Sequence, residues 1–293
     1  MSPFPCPSLQ ALPISLWDVV DAALVINLDH RTDRWDTIRE HLKSLVPEEK
    51  LHRVSAVLGK KLDGYSDSHW FRRTKRPETW AGRAGCSVSH RNAMRLAVDR
   101  GWNWVLIVED DTQFVCQFEG SFGQQLASFL RTNGDAFGFV YLGFNSPKLP
   151  LRRICDLKDD RWMYQIAGAS TTHAYLVNQS VMRRLLSEFP QSEADIWSWT
   201  AKNVVIDRWY SSNLRRWTGI AAVSPQVAIQ EQSLSDITQR TSDFSEDPNE
   251  DILRQLAVSN LTWRVSTLLQ TIVRPTTAIP RLLKAVVRRW MGF

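Results

Sequence analysis

The stretch Leu106 to Asp111, "LIVEDD", constrains the fold more than any other: an apolar strand runs without a break into three carboxylates. Apolar residues at successive rather than alternate positions belong to a strand buried on both faces, as in a parallel sheet covered by helices on either side. Charged groups cannot follow such a strand into the core, so the acids mark the point where it reaches the sheet's edge.

Other runs repeat the pattern. "AALVINL" (22–28) reads as a second buried strand, and "RTDRWDTIREHLKSL" after it places Trp35, Ile38, His41, Leu42 and Leu45 on one face of a helix. "HRVSAV" (52–57) reads as a strand and Gly59 to about Arg83 as a long polar loop. "CSVSHRNAMRLAVDRG" reads as a helix stopped by Gly101, leading into the strand "NWVLIVE". Helices are expected near 120–132, over 179–189 and near "NVVIDRWYSS", and strands over 137–143, 172–177 and 219–224. Strand and helix alternate, which specifies an α/β layered fold with a largely parallel sheet. A Pro-rich extension (1–20) precedes this body (21–240), and an acidic linker (241–251) and a basic tail (252–293) follow it.

The net charge of +5 does not indicate a nucleic-acid-binding face once it is located. Seven Lys or Arg and no acid lie from Ile252 onward, leaving 29 bases against 31 acids in residues 1–251. No nucleic-acid partner is expected. The 4 cysteines form no CxxC pair, which speaks against a zinc knuckle and for a reducing, cytoplasmic setting. No signal peptide or membrane span is read from the sequence.

In an extended segment Glu109 and Asp111 would point one way and Asp110 the other. Two carboxylates held at a strand end repel each other and lose hydration, a cost a divalent cation can offset. Ligands of α/β sheets bind beyond the strands' carboxyl ends, and oxygen donors suit Mg²⁺ or Mn²⁺ shared with substrate phosphates. The alternative is an acidic turn that caps the next helix and pairs with neighbouring arginines.

"VINLDHRTDR", "GCSVSHRNAMRLAVDRGWNWVLIVEDD", "THAYLVN", "VID" and "SPQVAIQEQSLSDI" occur in this order. From about Leu24 to Ile237 the chain resembles glycosyltransferase family 25, the group that includes lipooligosaccharide galactosyltransferases and procollagen galactosyltransferase domains. The resemblance implies a GT-A-like (Rossmann-like) mixed, mainly parallel sheet flanked by helices. It also implies inverting transfer of galactose or glucose from a UDP-sugar to a saccharide acceptor such as a lipopolysaccharide core. Mn²⁺ or Mg²⁺ would sit on Asp111 first and Glu109 second.

Asn27, Asp29, Arg31 and Arg34 lie where a strand becomes a helix, whose N-terminus suits an anion; donor contact is their family-like role and a solvated cap the other reading. Ser89 and His90 are implied to line the donor pocket, though His90 could equally be a core histidine. Asp110 is grouped with the donor-contacting residues without a specific role. An inverting displacement needs a base for the acceptor hydroxyl. Asp207 is the first candidate, against a salt bridge to Arg208 or Arg215, and Asp236 and Glu231 follow. Gln230 is placed near metal or sugar. Thr171, Thr172 and His173 are placed near the donor sugar, against a plain core strand.

Trp70 and Trp80 are expected near the acceptor, and Trp102 and Trp104 in packing. In the tail, "RLLKAVVRRWM" is an amphipathic helix with bases beside its apolar face, suited either to the anionic inner face of a membrane or to docking on the body or another subunit. The rival functions are a metal-dependent phosphohydrolase or nucleotidyltransferase and a non-catalytic carbohydrate-binding protein.

Overall fold

The computed structural model describes residues 14–65, 77–231, 253, 255–276 and 278–290. Twelve strands are assigned there: β1 (Ala22–Asn27), β2 (Leu51–Ser55), β3 (Trp104–Glu109), β4 (Thr112–Phe114), β5 (Phe139–Gly143), β6 (Ser146–Pro147), β7 (Leu151–Asp156), β8 (Trp162–Ile166), β9 (Ala169–Ser170), β10 (Ala174–Asn178), β11 (Ile220–Ser224) and β12 (Ala228–Gln230). The helices are α1 (Thr32–Leu42), α2 (Pro77–Asp99), α3 (Ser121–Asn133), α4 (Gln179–Glu188), α5 (Asp195–Asn203), α6 (Ile206–Asn213), α7 (Asn260–Thr276) and α8 (Ala278–Trp290).

Eight strands form one sheet in the order β2-β1-β3-β10-β5-β11-β8-β7. β10 and β8 run against the strands beside them, so the sheet is mixed and mainly in one direction, as the alternation of strand and helix implies. β1, β3, β5, β10 and β11 are buried on both faces because separate apolar cores lie on each side. Leu24, Ile107, Tyr141 and Tyr175 point into one core, against α2, α4, α5 and α6. Val25, Leu106, Val140 and Leu176 point into the other, with α1, α3 and the segment carrying Leu16 and Trp17.

The structure departs from the sequence reading in several places. Helix α2 begins at Pro77, so Trp80 and Arg83 are helical and the expected loop is shorter. Pro suits the first turn of a helix, where its missing N–H is not needed. Gly85 stands where the chain after β2 crosses close to α2: a Cβ there would come 2.3 Å from the Val57 carbonyl oxygen. The β7–β8 hairpin, the short β4, β6, β9 and β12, and helix α5 are additions to the expected elements, and none carries a simple apolar period that would reveal it. The linker at 241–251 and Trp70 lie outside the described residues.

Most of the described tryptophans serve packing. Trp17, Trp104, Trp197, Trp199, Trp209 and Trp263 are all buried, and Trp102 stacks on His52 with ring centroids 5.0 Å apart. Among the described residues no helix is long and apolar enough to cross a membrane.

Candidate active site

β1, β2 and β3 are parallel neighbours, and their carboxyl ends lie together: Ile26 pairs with Glu109 and Asn27 with Ser55. β3 ends at Glu109, and the chain turns at Asp110 and Asp111 before β4. Strand alternation therefore stops at Glu109, and the three carboxylates part company in a way an extended segment would not allow. Glu109 Oε1 faces His90 Nε2 at 3.2 Å and accepts from Thr172 Oγ1 at 3.0 Å. Asp110 accepts from Asn27 Nδ2 at 2.7 Å and from Arg34 Nη1 at 3.0 Å. Asp111 Oδ2 accepts from Gln230 Nε2 at 3.0 Å, and Arg34 Nη1 stands 3.8 Å from it.

Gln230 reaches this place because β12 pairs antiparallel with β4, Gln230 opposite Thr112. The Glu231 N–H then donates to the Asp111 carbonyl at 2.8 Å, while Glu231 itself is exposed.

The three acids also differ in proton affinity. Burial works to raise the Glu109 carboxyl, but the hydrogen bond and charge of His90, with His173 and Thr172, hold it below its ordinary value. Burial raises Asp110 in spite of Asn27 and Arg34. Asp111 is pushed up to about 7, by burial first and then by the charges of Glu109 and Asp110. Its Oδ1 is buried and has no hydrogen-bond partner among the described residues.

These groups line a cleft of about 130 Å³. Arg34, Ser89, His90, the three acids and Gln230 form the polar part; Ala56 to Gly59 form part of the wall. A Cβ on Gly59 would lie 1.7 Å from the Ala81 carbonyl oxygen, so only glycine lets this wall lie against α2. Ser89 fastens the same wall, accepting from the Val57 N–H at 2.8 Å and donating to the Gly85 carbonyl at 2.7 Å.

A carboxylate oxygen buried without a donor, on a group already crowded by two like charges, fits a bound divalent cation: the ion would supply the missing positive charge and coordinate Oδ1. Glu109 is the adjoining oxygen donor, although His90 and Thr172 already engage its Oε1.

The remaining candidates divide by geometry. Asn27 is buried and saturated: Nδ2 also donates to the Arg31 carbonyl at 3.0 Å, and Oδ1 accepts from Arg53 Nε at 2.9 Å. It organises the strand ends. Asp29 is exposed and accepts from Ser55 Oγ at 2.7 Å. Arg31 pairs with Asp33, 2.9 Å from Nη2 to Oδ2, and draws the Asp33 carboxyl down to about 2. Neither Asp29 nor Arg31 lines the cleft with Arg34.

Asp207, in the first turn of α6, is engaged by backbone: its oxygens accept the N–H groups of Thr171 and Arg208. Thr171 has a φ of 65°, an uncommon conformation for a residue with a side chain, and Asp207 holds its N–H at 3.1 Å. His173 is buried, its Nε2 3.2 Å from the Ala228 carbonyl, so it secures β10 and β12 rather than facing the cleft. Trp80 is half-buried with Arg83 over its ring at 4.8 Å. Asp236 lies outside the described residues.

Sequence reasoning passed over Cys86. It sits one helical turn before His90 on α2, lines the cleft, and has its thiol pushed far up by burial and then by the charges of Glu109, Asp207 and Asp111. Asp207 does not itself line the cleft. The i, i+4 spacing of Cys86 and His90 was the legible signal.

The family model described as Glycosyltransferase family 25 (LPS biosynthesis protein) matches residues 20–197, more than half of the chain. The chain belongs to glycosyltransferase family 25. Among relatives of this family 25 chain, procollagen galactosyltransferase 1-B of Xenopus laevis is 28% identical over 188 residues, covering 58% of this chain and 28% of that protein. Procollagen galactosyltransferase 2 of Homo sapiens is 33% identical over 166 residues, covering 50% of this chain and 25% of that protein. The matched segment thus spans under a third of either relative. Among solved structures, a mannose-1-phosphate geranyltransferase from Thermus thermophilus aligns with a TM-score of 0.36 at 11% identity, over 79% of this chain and 81% of that one. A mannosyltransferase from Pyrobaculum calidifontis, in complex with GDP-Man and Mn²⁺, aligns with a TM-score of 0.34 at 14% identity, over 93% and 75%.

Proposed function

We propose that this family 25 chain is an inverting, GT-A-like hexosyltransferase that moves galactose or glucose from a UDP-sugar to a saccharide acceptor such as a lipopolysaccharide core. The observation that carries the reading is Asp111 Oδ1, buried without a partner among the described residues, beside a cleft at the carboxyl end of β3. Asp111, with Glu109 adjoining, would hold a divalent cation, which when bound would supply Lewis-acid stabilisation of the charge that develops on a diphosphate.

The chain's own residues supply the rest. Arg34 brings positive charge to the cleft, and the wall at Val57 to Gly59 gives the donor an apolar surface. Asp207 accepts the proton of the acceptor hydroxyl as its oxygen bonds to the anomeric carbon and the bond from that carbon to the diphosphate oxygen breaks. The Thr171 and Arg208 N–H groups orient Asp207 for this role.

Turnover assays with UDP-galactose, UDP-glucose and Mn²⁺, with and without a saccharide panel, test the function. Sugar transfer, or slow UDP release without acceptor, is the expected result. Release of sugar phosphate and UMP would replace it with the phosphohydrolase or nucleotidyltransferase reading. Calorimetry that finds no metal-dependent UDP binding would leave a non-catalytic carbohydrate-binding protein.

For the tail two readings stand: attachment to an anionic membrane surface, and docking on the body, against whose α5 the helix α8 packs. Leu261, Val265, Leu268 and Leu269 on α7 and Ile279, Leu283, Val286, Val287 and Trp290 on α8 are exposed, and the seven bases from Ile252 onward have no acid among them.

A further inference from the structure

Cys86 and His90 stand on one face of α2, and Glu109 ends the strand that faces them. Ligand atoms of all three lie within 4.8 Å of one another. We propose that Cys86, His90 and Glu109 form a binding site for a thiophilic divalent cation of the Zn²⁺ class, which shares Glu109 with the oxygen site at Asp111 and differs from it in its sulfur and nitrogen donors.

Three observations support it. His90 Nε2 and Glu109 Oε1 are 3.2 Å apart, close to the edge of about 3.3 Å of a tetrahedron whose metal bonds are about 2.0–2.1 Å long. The other ring nitrogen, Nδ1, meets Tyr175 Oη at 2.9 Å, and Thr172 Oγ1 holds Glu109 Oε1 at 3.0 Å. Those are the outer contacts that orient a ligating imidazole and carboxylate. All three donors line the cleft, which gives an ion a way in and leaves its fourth position for water.

A sulfur, a nitrogen and an oxygen suit Zn²⁺ or Co²⁺, whereas Mg²⁺ and Mn²⁺ prefer all-oxygen sites. Binding breaks the Cys86 S–H bond, forms a sulfur–metal bond and releases the proton to solvent. The surrounding carboxylates, which disfavour a bare thiolate, favour the cation that replaces the proton. An ion here takes Glu109 and part of the cleft wall, so Zn²⁺ is an inhibitor of donor binding. This consequence rests on the proposed transferase function; the binding site does not.

The full chain is titrated with Co²⁺ for absorbance and with Zn²⁺ for calorimetry. A thiolate-to-cobalt charge-transfer band and one Zn²⁺ per chain are expected. Cys86→Ser should abolish the band and weaken Zn²⁺ by about tenfold or more, while Cys116→Ser, Cys155→Ser and Asp111→Asn retain it. If Cys86→Ser does not fold, the unaltered chain still decides: Zn²⁺ should slow alkylation of Cys86 by iodoacetamide, followed by peptide mass mapping. Absence of the band, a band that persists in folded Cys86→Ser, or alkylation unchanged by Zn²⁺ overturns the proposal whatever the outcome of the sugar-transfer assay.

Discussion

Arg34 Nη1 donates to Asp110 Oδ1 at 3.0 Å across 76 residues of chain, tying the first turn of α1 to the end of β3. The two side chains are 13% and 11% exposed, so the pair is largely shielded from water. Removing the cation strands two carboxylates. Arg34→Met should lower stability by about 3 kcal/mol in urea unfolding. Adding Asp110→Asn should restore part of the loss; a double variant no more stable than Arg34→Met would refute the coupling.

Asp111 makes stability depend on pH. Its carboxyl titrates near 7 in the folded chain against an ordinary value of 3.8, so the folded state keeps a proton that the unfolded state has lost. Stability therefore falls as pH rises from about 4 to about 7 and levels off above that. Asp111→Asn should flatten this dependence and be the more stable form at pH 8 by on the order of 2–4 kcal/mol without added metal. Parallel stability curves for the two proteins across pH 4–8 would contradict the assignment.

Metal and proton compete for the same carboxylate. Mn²⁺-dependent UDP binding should weaken as pH drops below about 7, and Asp111→Ala should lose it. Calorimetry at pH 6 and 8 checks both.

Asp207 separates binding from turnover. Asp207→Asn keeps an acceptor for the Thr171 N–H but cannot take a proton, so UDP affinity should stay within about twofold while kcat falls about 10²- to 10⁴-fold. Near-normal turnover would remove Asp207 as the base.

Gly59 lets the cleft wall touch α2. Gly59→Ala would force a methyl against the Ala81 backbone and should cost about 1–3 kcal/mol, with weaker donor binding because Val57 and Leu58 move. An alanine variant equal to the parent in both melting temperature and UDP affinity would show that the contact is relieved elsewhere.

The order of the main strands and helices was legible because each central strand is continuously apolar and the flanking helices other than α5 keep a three- and four-residue period. Glu109 to Asp111 announced a strand end for the same reason: charge cannot continue into a two-sided core. The β7–β8 hairpin and the β4–β12 ribbon were not legible, since the hairpin mixes buried and exposed positions without a period and the ribbon pairs strands distant in the chain.

By itself the sequence determined the α/β alternation, the acidic strand end and the motifs that mark family 25, all of which depend on residues close together in the chain. Tertiary structure decided which partners each acid meets. The turn at Asp110 sends that side chain to Asn27 and Arg34, while His90 and Thr172 draw Glu109 aside and Gln230 arrives from β12 to leave Asp111 with one oxygen unsatisfied among the described residues. Three neighbouring carboxylates are chemically alike in the sequence; burial and the donors brought by remote segments make them different.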